Sequence, residues 1–317
     1  MNTIKKKRNT SQYAIWFILL GMIIIFTIGN RVFVAPNNIV AILRQVAVYG
    51  VASVGMTFVI LLGGIDLSIG SIITFVNIVC AKMMVDMGMN MWLATLISLI
   101  LASVIGFLNG FMIADIGIPP IIATFSTQTI FQGVAYLISD GMPIAGIPAG
   151  YSLFGKDSVG IIPVSAIIMT ICFAVGSFIL NKSYFGRYFY AVGGNEEAAE
   201  LSGIRVRRTK YLVYILSGLF AGLAGIIMLS RTGSAQNTAG LGYEFEVITC
   251  VVLGGISVNG GIGKLSGVVA GVLFIGSLTN GMILLDVSSY AQQVIKGIIL
   301  AVAVGIDLMS KKRKVHN

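Results

Sequence analysis

The sequence predicts an all-α, polytopic membrane protein of about ten transmembrane helices with a short helix outside the membrane, and three observations predict it. The 317 residues are 56% hydrophobic and only 10% charged, with mean hydropathy +0.95, whereas a soluble surface needs far more charge. Apolar runs close to the roughly 20 residues that a bilayer requires recur almost from end to end. They leave little room for a soluble domain, so residues 1–317 read as a single membrane domain. Basic residues gather in three short segments: Lys5, Lys6, Lys7 and Arg8; then Lys182, Arg187, Arg205, Arg207, Arg208 and Lys210; then Lys311, Lys312, Arg313 and Lys314, together 14 of the 21 Lys and Arg. Such clusters beside spans mark the cytoplasmic side. That puts both termini there, with a basic tail over 1–12 and a loop over 181–211, and it sets aside nucleic acid as the reason for the net charge of +9.

Taken in order, the first run, Ile15 to Gly29, is followed by "NRVFVAPNN", which has no small-residue cleavage pattern, so it reads as an uncleaved span. Ile39 to Leu62, Ser68 to Val85, Trp92 to Ala114, Ile121 to Ile138 and Ile161 to Leu180 follow, with a Gly- and Pro-rich external connection from Ser139 to Gly160. After the polar loop come Leu212 to Leu229, Phe245 to Val258, Leu265 to Leu285 and Val294 to Met309; the run at Phe245 is short. An even number of spans agrees with both ends lying on one side. The 39 glycines, many of them inside spans, read as points of close helix approach. Leu-Gly-Gly-Ile occurs at Leu62 to Ile65 and again at Leu253 to Ile256, a hint of the internal repeats that transporters use.

Chemistry is sparse. The single histidine, His316, stands next to the last residue, where it reads as an exposed tail residue. Cys80, Cys172 and Cys250 sit singly in apolar runs, as buried packing residues with neither metal spacing nor a disulfide framework. "GGIGKLSG", Gly260 to Gly267, lacks the glycine and the hydroxyl of a phosphate loop, since Val258 and Leu265 stand in those places. No catalytic residue, metal or cofactor is expected. Among the acids, Asp66 in "GGIDLSIGS" is the one placed inside the apolar region. It or Ser68 reads as the cap of the helix that begins near Ile69, ahead of an ion or substrate role. Gln128 and Gln132 lie four apart on one helix face, and Asn77, Asn109 and Asn280 lie in other spans. Amides at these places suit either exchangeable hydrogen bonds to a polyol or bonds between helices, and the sequence leaves both open.

The polar loop contains "GGNEEAAELSG". Asn195 is a good N-cap, Glu196 and Glu197 put negative charge in the first turn, and Gly203 supplies a left-handed C′ position. The stretch is therefore a helix of about two turns bounded by its own sequence. Ala198 and Ala199 add little bulk, so a face of the helix can press closely on a partner.

At this point a family resemblance becomes specific. Glu197-Ala198-Ala199, then Gly203, resembles the EAA motif of ABC importer permeases, although the Ile-x-Leu-Pro ending is missing after Lys210. Val54 to Ser71, Gly186 to Val206, Ser234 to Glu244 and Val251 to Gly267 all look like the ribose-type branch of carbohydrate ABC permeases, in order and over nearly the whole chain. The resemblance implies a bacterial cytoplasmic-membrane subunit that carries a monosaccharide inward, ribose first, with autoinducer-2 or another pentose or hexose as the alternative. It implies separate ATPase subunits, an extracytoplasmic sugar-binding protein and a second permease subunit, either a copy or a paralogue. On this chain, Asn195, Glu196, Glu197, Ala198, Ala199, Gly203 and Arg205 would form the ATPase contact, and Ser139 to Gly160 and Arg231 to Glu244 would meet the binding protein. Asp66, Asn77, Asn109, Gln128, Gln132 and Asn280 are the candidates for the sugar path. An ion-coupled secondary transporter stands behind this reading, with Asp66 as its one intramembrane carboxylate; a membrane enzyme stands further back.

Overall fold

The computed structural model describes residues 2–315, with side chains from Ile15 to Met309. His316 and the side chains of the two terminal basic clusters lie outside the described residues. Among the described residues, twelve α-helices carry the fold. They are α1 (Asn2–Gly29), α2 (Pro36–Leu61), α3 (Ile69–Val85), α4 (Met91–Ala114), α5 (Pro120–Ser139), α6 (Val164–Lys182), α7 (Tyr184–Gly194), α8 (Glu196–Leu201), α9 (Val206–Thr232), α10 (Tyr243–Leu253), α11 (Leu265–Leu284) and α12 (Ser289–Val315). Every predicted apolar run holds a helix. Seven of the described helices are long and apolar enough to cross a bilayer, and Ile15–Gly29 and Ile69–Val85 are shorter apolar helices. The protein is an all-α multi-pass membrane protein, but by this measure seven spans stand where about ten were expected.

Three of the expected runs fall below that length: Ile15–Gly29, the part of α1 with described side chains; α3, with 17 residues; and the run at Phe245. The predicted span at Phe245 is an 11-residue helix, α10, half the length of a crossing at about 1.5 Å per residue. Its partner break lies between α2 and α3. Gly63 (φ 88°) and Gly255 (φ 83°) take left-handed backbone in the two Leu-Gly-Gly-Ile copies, a conformation that glycine adopts at little steric cost. Each copy of the motif therefore ends a helix, with the left-handed glycine first of the pair in one copy and second in the other, and the two breaks touch where Gly261 N–H donates to the Leu61 carbonyl at 2.8 Å.

At the centre of the bundle α9 packs against α4, α2 and α3. Small residues permit the approach: a Cβ on Gly222 would stand 2.7 Å from the Ala102 methyl. Dense packing of small residues replaces the hydrophobic drive that lipid cannot supply. The charged end of α9 also corrects a boundary. The helix begins at Val206 rather than Leu212, because no helix breaker stands between those positions, so Arg207, Arg208 and Lys210 ride on its first turns. The stretch expected to be loop likewise contains α7, capped by Ser183 and burying Phe189 and Val192.

One face of the bundle carries α7, α8 and the two breaks. The connection 140–163 lies on the opposite face and includes a two-residue antiparallel ribbon, Ser158–Val159 with Ile162–Pro163. The path of α12 ends near the first face, where Asp307 accepts bonds from Ser257 Oγ and Val258 N–H.

Candidate functional site

The first candidate site is α8. The Asn195 side chain accepts the Ala198 N–H at 2.9 Å, which satisfies one of the orphan donors of the first turn. Gly203 N–H donates to Glu200 O and Ile204 N–H to Ala199 O, with Gly203 at φ 84°. These two bonds form a Schellman stop. Both ends of a six-residue helix are thus held by its own sequence, as expected. Ala199 turns inward against Val192, Val206, Leu62 and Ile204, so it seats α8 on the bundle instead of facing outward. The face left exposed carries Glu197, Ala198, Glu200 and Leu201, and Leu201 is 91% exposed. Glu196 pairs with Lys210 at 2.7 Å, which ties α8 to α9. Arg205 precedes α9 and is exposed. Arg207 forms an ion pair with Asp115, which also accepts from the Tyr211 hydroxyl. Below α8, Tyr190 donates to Gly263 O at 2.9 Å; burial pushes its pKa up, so the phenol keeps its proton and α7 keeps its hold on the second break.

The second candidate site is the set of polar side chains inside the bundle, and the structure divides it into two groups. Asp66 is fully buried. One of its oxygens accepts the Ser68 N–H (3.0 Å) and hydroxyl (2.5 Å), and the other accepts the Ser217 hydroxyl (2.6 Å). It therefore holds the turn that leads into α3 and ties it to α9, while the expected side-chain cap is not made: Ser68 stands at the N-cap position with no capping bond. Asn109 donates to Ser68 Oγ at 2.8 Å and accepts from Thr127 at 2.6 Å, which extends the chain of bonds to α4 and α5. Asn280 and Asn38 exchange two amide bonds of 2.8 and 2.9 Å between α11 and α2. In these three residues the amides and the carboxylate are occupied in joining helices.

Asn77, Gln128 and Gln132 belong to the other group. The segment 233–242, which follows α9, folds back against both α3 and α5 and pairs with the connection 140–163 at Ala235 and Ile144. At one level Gln236 N–H donates to Asn77 Oδ1 at 3.0 Å, and Gln132 Nε2 donates to Asn237 O at 2.8 Å. About one turn along α3, Gly240 N–H donates to Thr74 Oγ1 at 2.9 Å. At the far end Gln128 Nε2 donates to Glu244 at 2.9 Å, and the Glu244 carboxylate lies over Gly70. Asn77 Nδ2, Gln132 Oε1 and Glu244 Oε2 are buried with no hydrogen-bond partner among the described residues. Buried and unpaired, each costs about 1–3 kcal/mol.

Two acids and a lysine escaped the sequence reading. Glu244, placed by sequence at a span end, is buried inside the bundle, and Glu246 is bonded to Lys296 of α12 at 2.7 Å. Their signal was present: two acids in the first turn of a helix after Gly240 and Gly242, where the helix dipole favours them.

Comparison with known proteins agrees with this architecture. Residues 38–304 match the family described as branched-chain amino acid transport system / permease component. The chain belongs to this permease family. It is 46% identical over 291 residues to the ribose import permease protein of Bacillus subtilis, covering 91% of this chain and 90% of that one. It is 38% identical over 302 residues to the L-arabinose transport system permease protein of Escherichia coli (93% and 92% covered), and 36% identical over 303 residues to the D-allose transport system permease protein of the same organism (95% and 93%). No solved structure matches the chain significantly.

Proposed function

We infer that this permease is the membrane subunit of an ATP-driven importer that carries ribose into the cytoplasm of a bacterial cell. One observation carries the choice of ribose: 46% identity across nine-tenths of the chain to a protein named a ribose import permease. The other relatives, named for arabinose and allose, favour a sugar over the amino acids of the family description, and keep another pentose, a hexose or autoinducer-2 as the alternative substrate.

In this reading the whole chain is one permease domain of the cytoplasmic membrane, with both termini and the loop 181–211 in the cytoplasm. The exposed face of α8 docks on an ATPase subunit. Closure of the ATPase pair on ATP pushes α8, and the push passes through Ala199 and the Glu196–Lys210 pair into α7, α9 and the first break. A second permease subunit completes the path. An extracytoplasmic sugar-binding protein delivers ribose to the face that carries residues 140–163. The work comes from the ATPase, and this chain supplies a path and a lever.

The test is uptake of labelled ribose by cells that make the chain with its ATPase and binding protein. Uptake is expected to survive an uncoupler while ATP is maintained, and to fall at least tenfold in Glu197→Lys at unchanged membrane insertion. Uptake abolished by the uncoupler and indifferent to Glu197 would instead support an ion-coupled carrier.

A further inference from the structure

The segment 233–242 occupies an unusual position for a polar stretch. It contains Ser234, Gln236, Asn237 and Thr238, yet it lies along two membrane helices and bonds to both. The α3 face it touches carries Gly70, Thr74 and Asn77, and the α5 face carries Gln128 and Gln132, so each helix offers polar groups at matching levels about one turn apart. A peptide presents amide donors and carbonyl acceptors in alternation. A sugar presents hydroxyls that do both. The groups that hold the peptide in this slot are therefore chemically suited to hold a polyol in its place.

Three features single out this slot from the other polar clusters. The bonds around Asp66, Asn109 and Asn280 are complete within the protein, whereas here a donor, Asn77 Nδ2, and two acceptors, Gln132 Oε1 and Glu244 Oε2, have no partner among the described residues. Asn77 is fully buried and Glu244 nearly so, so these atoms are not satisfied by a bulk-exposed surface. Glycines also bracket the segment: Gly233 and Gly242 hold left-handed backbone at φ 74° and 83°. Backbone of this kind is found where a chain bends sharply away from the neighbouring helix.

We propose that the slot between α3 and α5 is a hydroxyl-exchange subsite for the sugar, and that segment 233–242 is a peptide plug that must leave it during each transport cycle. The plug holds the slot closed by bonding to Asn77, Thr74 and Gln132. The sugar takes over those groups as the plug withdraws and gains the three that the plug leaves unpaired. Glu244, on the first turn of α10, would accept a sugar hydroxyl at the inner end of the slot. This proposal rests on the sugar-importer reading above.

The test pins the plug in place through the antiparallel bridge between Ile144 and Ala235, away from the groups assigned to the sugar. Ala145→Cys with Ser234→Cys places two thiols on one side of that bridge, and the native Cys80, Cys172 and Cys250 are all buried. Pro143→Cys with Gln236→Cys is a second pair on its other side, in case the first fails to assemble. The complete transporter, reconstituted in vesicles, is assayed for uptake of labelled ribose before and after a short, reducible bis-thiol linker, then after reductant. The expected result is at least tenfold loss on linking and recovery on reduction, with no effect of the linker on either single-cysteine variant. Uptake that persists undiminished in a fully linked sample would overturn the plug. Absence of ribose uptake by the unsubstituted transporter would overturn the sugar reading itself, and this proposal with it.

Discussion

At the residue scale, Asp66 separates two meanings of a carboxylate inside a membrane. An acid that carries protons must change its charge in the working cycle, whereas an acid that builds structure needs its oxygens as acceptors. Asp66 uses both oxygens: Ser68 supplies two donors to one and Ser217 one donor to the other. Asp66→Ala would strand those buried donors, each at about 1–3 kcal/mol, and is expected to lower the thermal midpoint of the detergent-solubilised protein and its yield. Asp66→Asn keeps an acceptor for Ser68 and offers an amide to the Ser217 oxygen, so its midpoint should lie close to that of the unsubstituted chain, with ribose uptake retained. If Asp66→Asn is stable but inert in uptake, the charge itself is required and the ion-coupled reading returns. Sequence alone singled out this residue because it stands three positions before the helix start, but in place of the expected cap it bonds the N–H of Ser68. The bond to Ser217, 151 positions away, has no local signal.

Element by element, local sequence and long-range contact had unequal legibility. The helix α8 was readable in full, since Asn195 and Gly203 are short-range signals that act within four residues of themselves. The same holds for the apolar runs, which depend on composition over a window. What could not be read was whether a run crosses or turns back. Phe245 to Val258 looks like a weak span, and only the packing of Gly240 and Glu244 beside Gly70 shows that α10 starts within the bundle. The amides illustrate the same limit: Asn280 and Gln132 are alike in sequence context, yet Asn38 completes the first and a peptide carbonyl half-completes the second. A six-residue helix is far below the length that is stable alone in water, so α8 depends on its caps and on Ala199. Asn195→Ala removes about 1 kcal/mol, and Gly203→Val puts a branched side chain where φ is 84°, a conformation costing about 1–2 kcal/mol. Together they should fray α8 without disturbing the membrane helices. The expected outcome is unchanged insertion and a several-fold loss of sugar-stimulated ATP hydrolysis by the assembled transporter. Full stimulation in the double variant would mean that a preformed α8 is not the coupling element.

Across the whole molecule, the half-helix α10 stands at a junction between other helices. Its first turn reaches α5 through Glu244 and Gln128, and α12 through Glu246 and Lys296. Only 6% of the apolar window of α12 is buried within this chain, so apolar packing holds that helix weakly and the ion pair takes a larger share. The pair is about four-fifths buried, which makes breaking it more serious than removing it. Lys296→Met would leave a lone carboxylate in an apolar setting, at a cost approaching the 3–5 kcal/mol typical of a broken buried pair. Glu246→Gln would leave a lone ammonium. The double substitution removes both charges, and the desolvation penalty of the pair disappears with its attraction, so stability should return toward that of the unsubstituted chain. A double-mutant cycle on thermal midpoints in detergent measures this directly: each single variant is expected to fall well below the double. Additive losses would show that Glu246 and Lys296 act independently, and that α12 is held by some other contact. If stability recovers in the double variant but ribose uptake does not, the charges serve the transport cycle as well as the fold, since the half-helix that they anchor is the one whose other acid faces the slot.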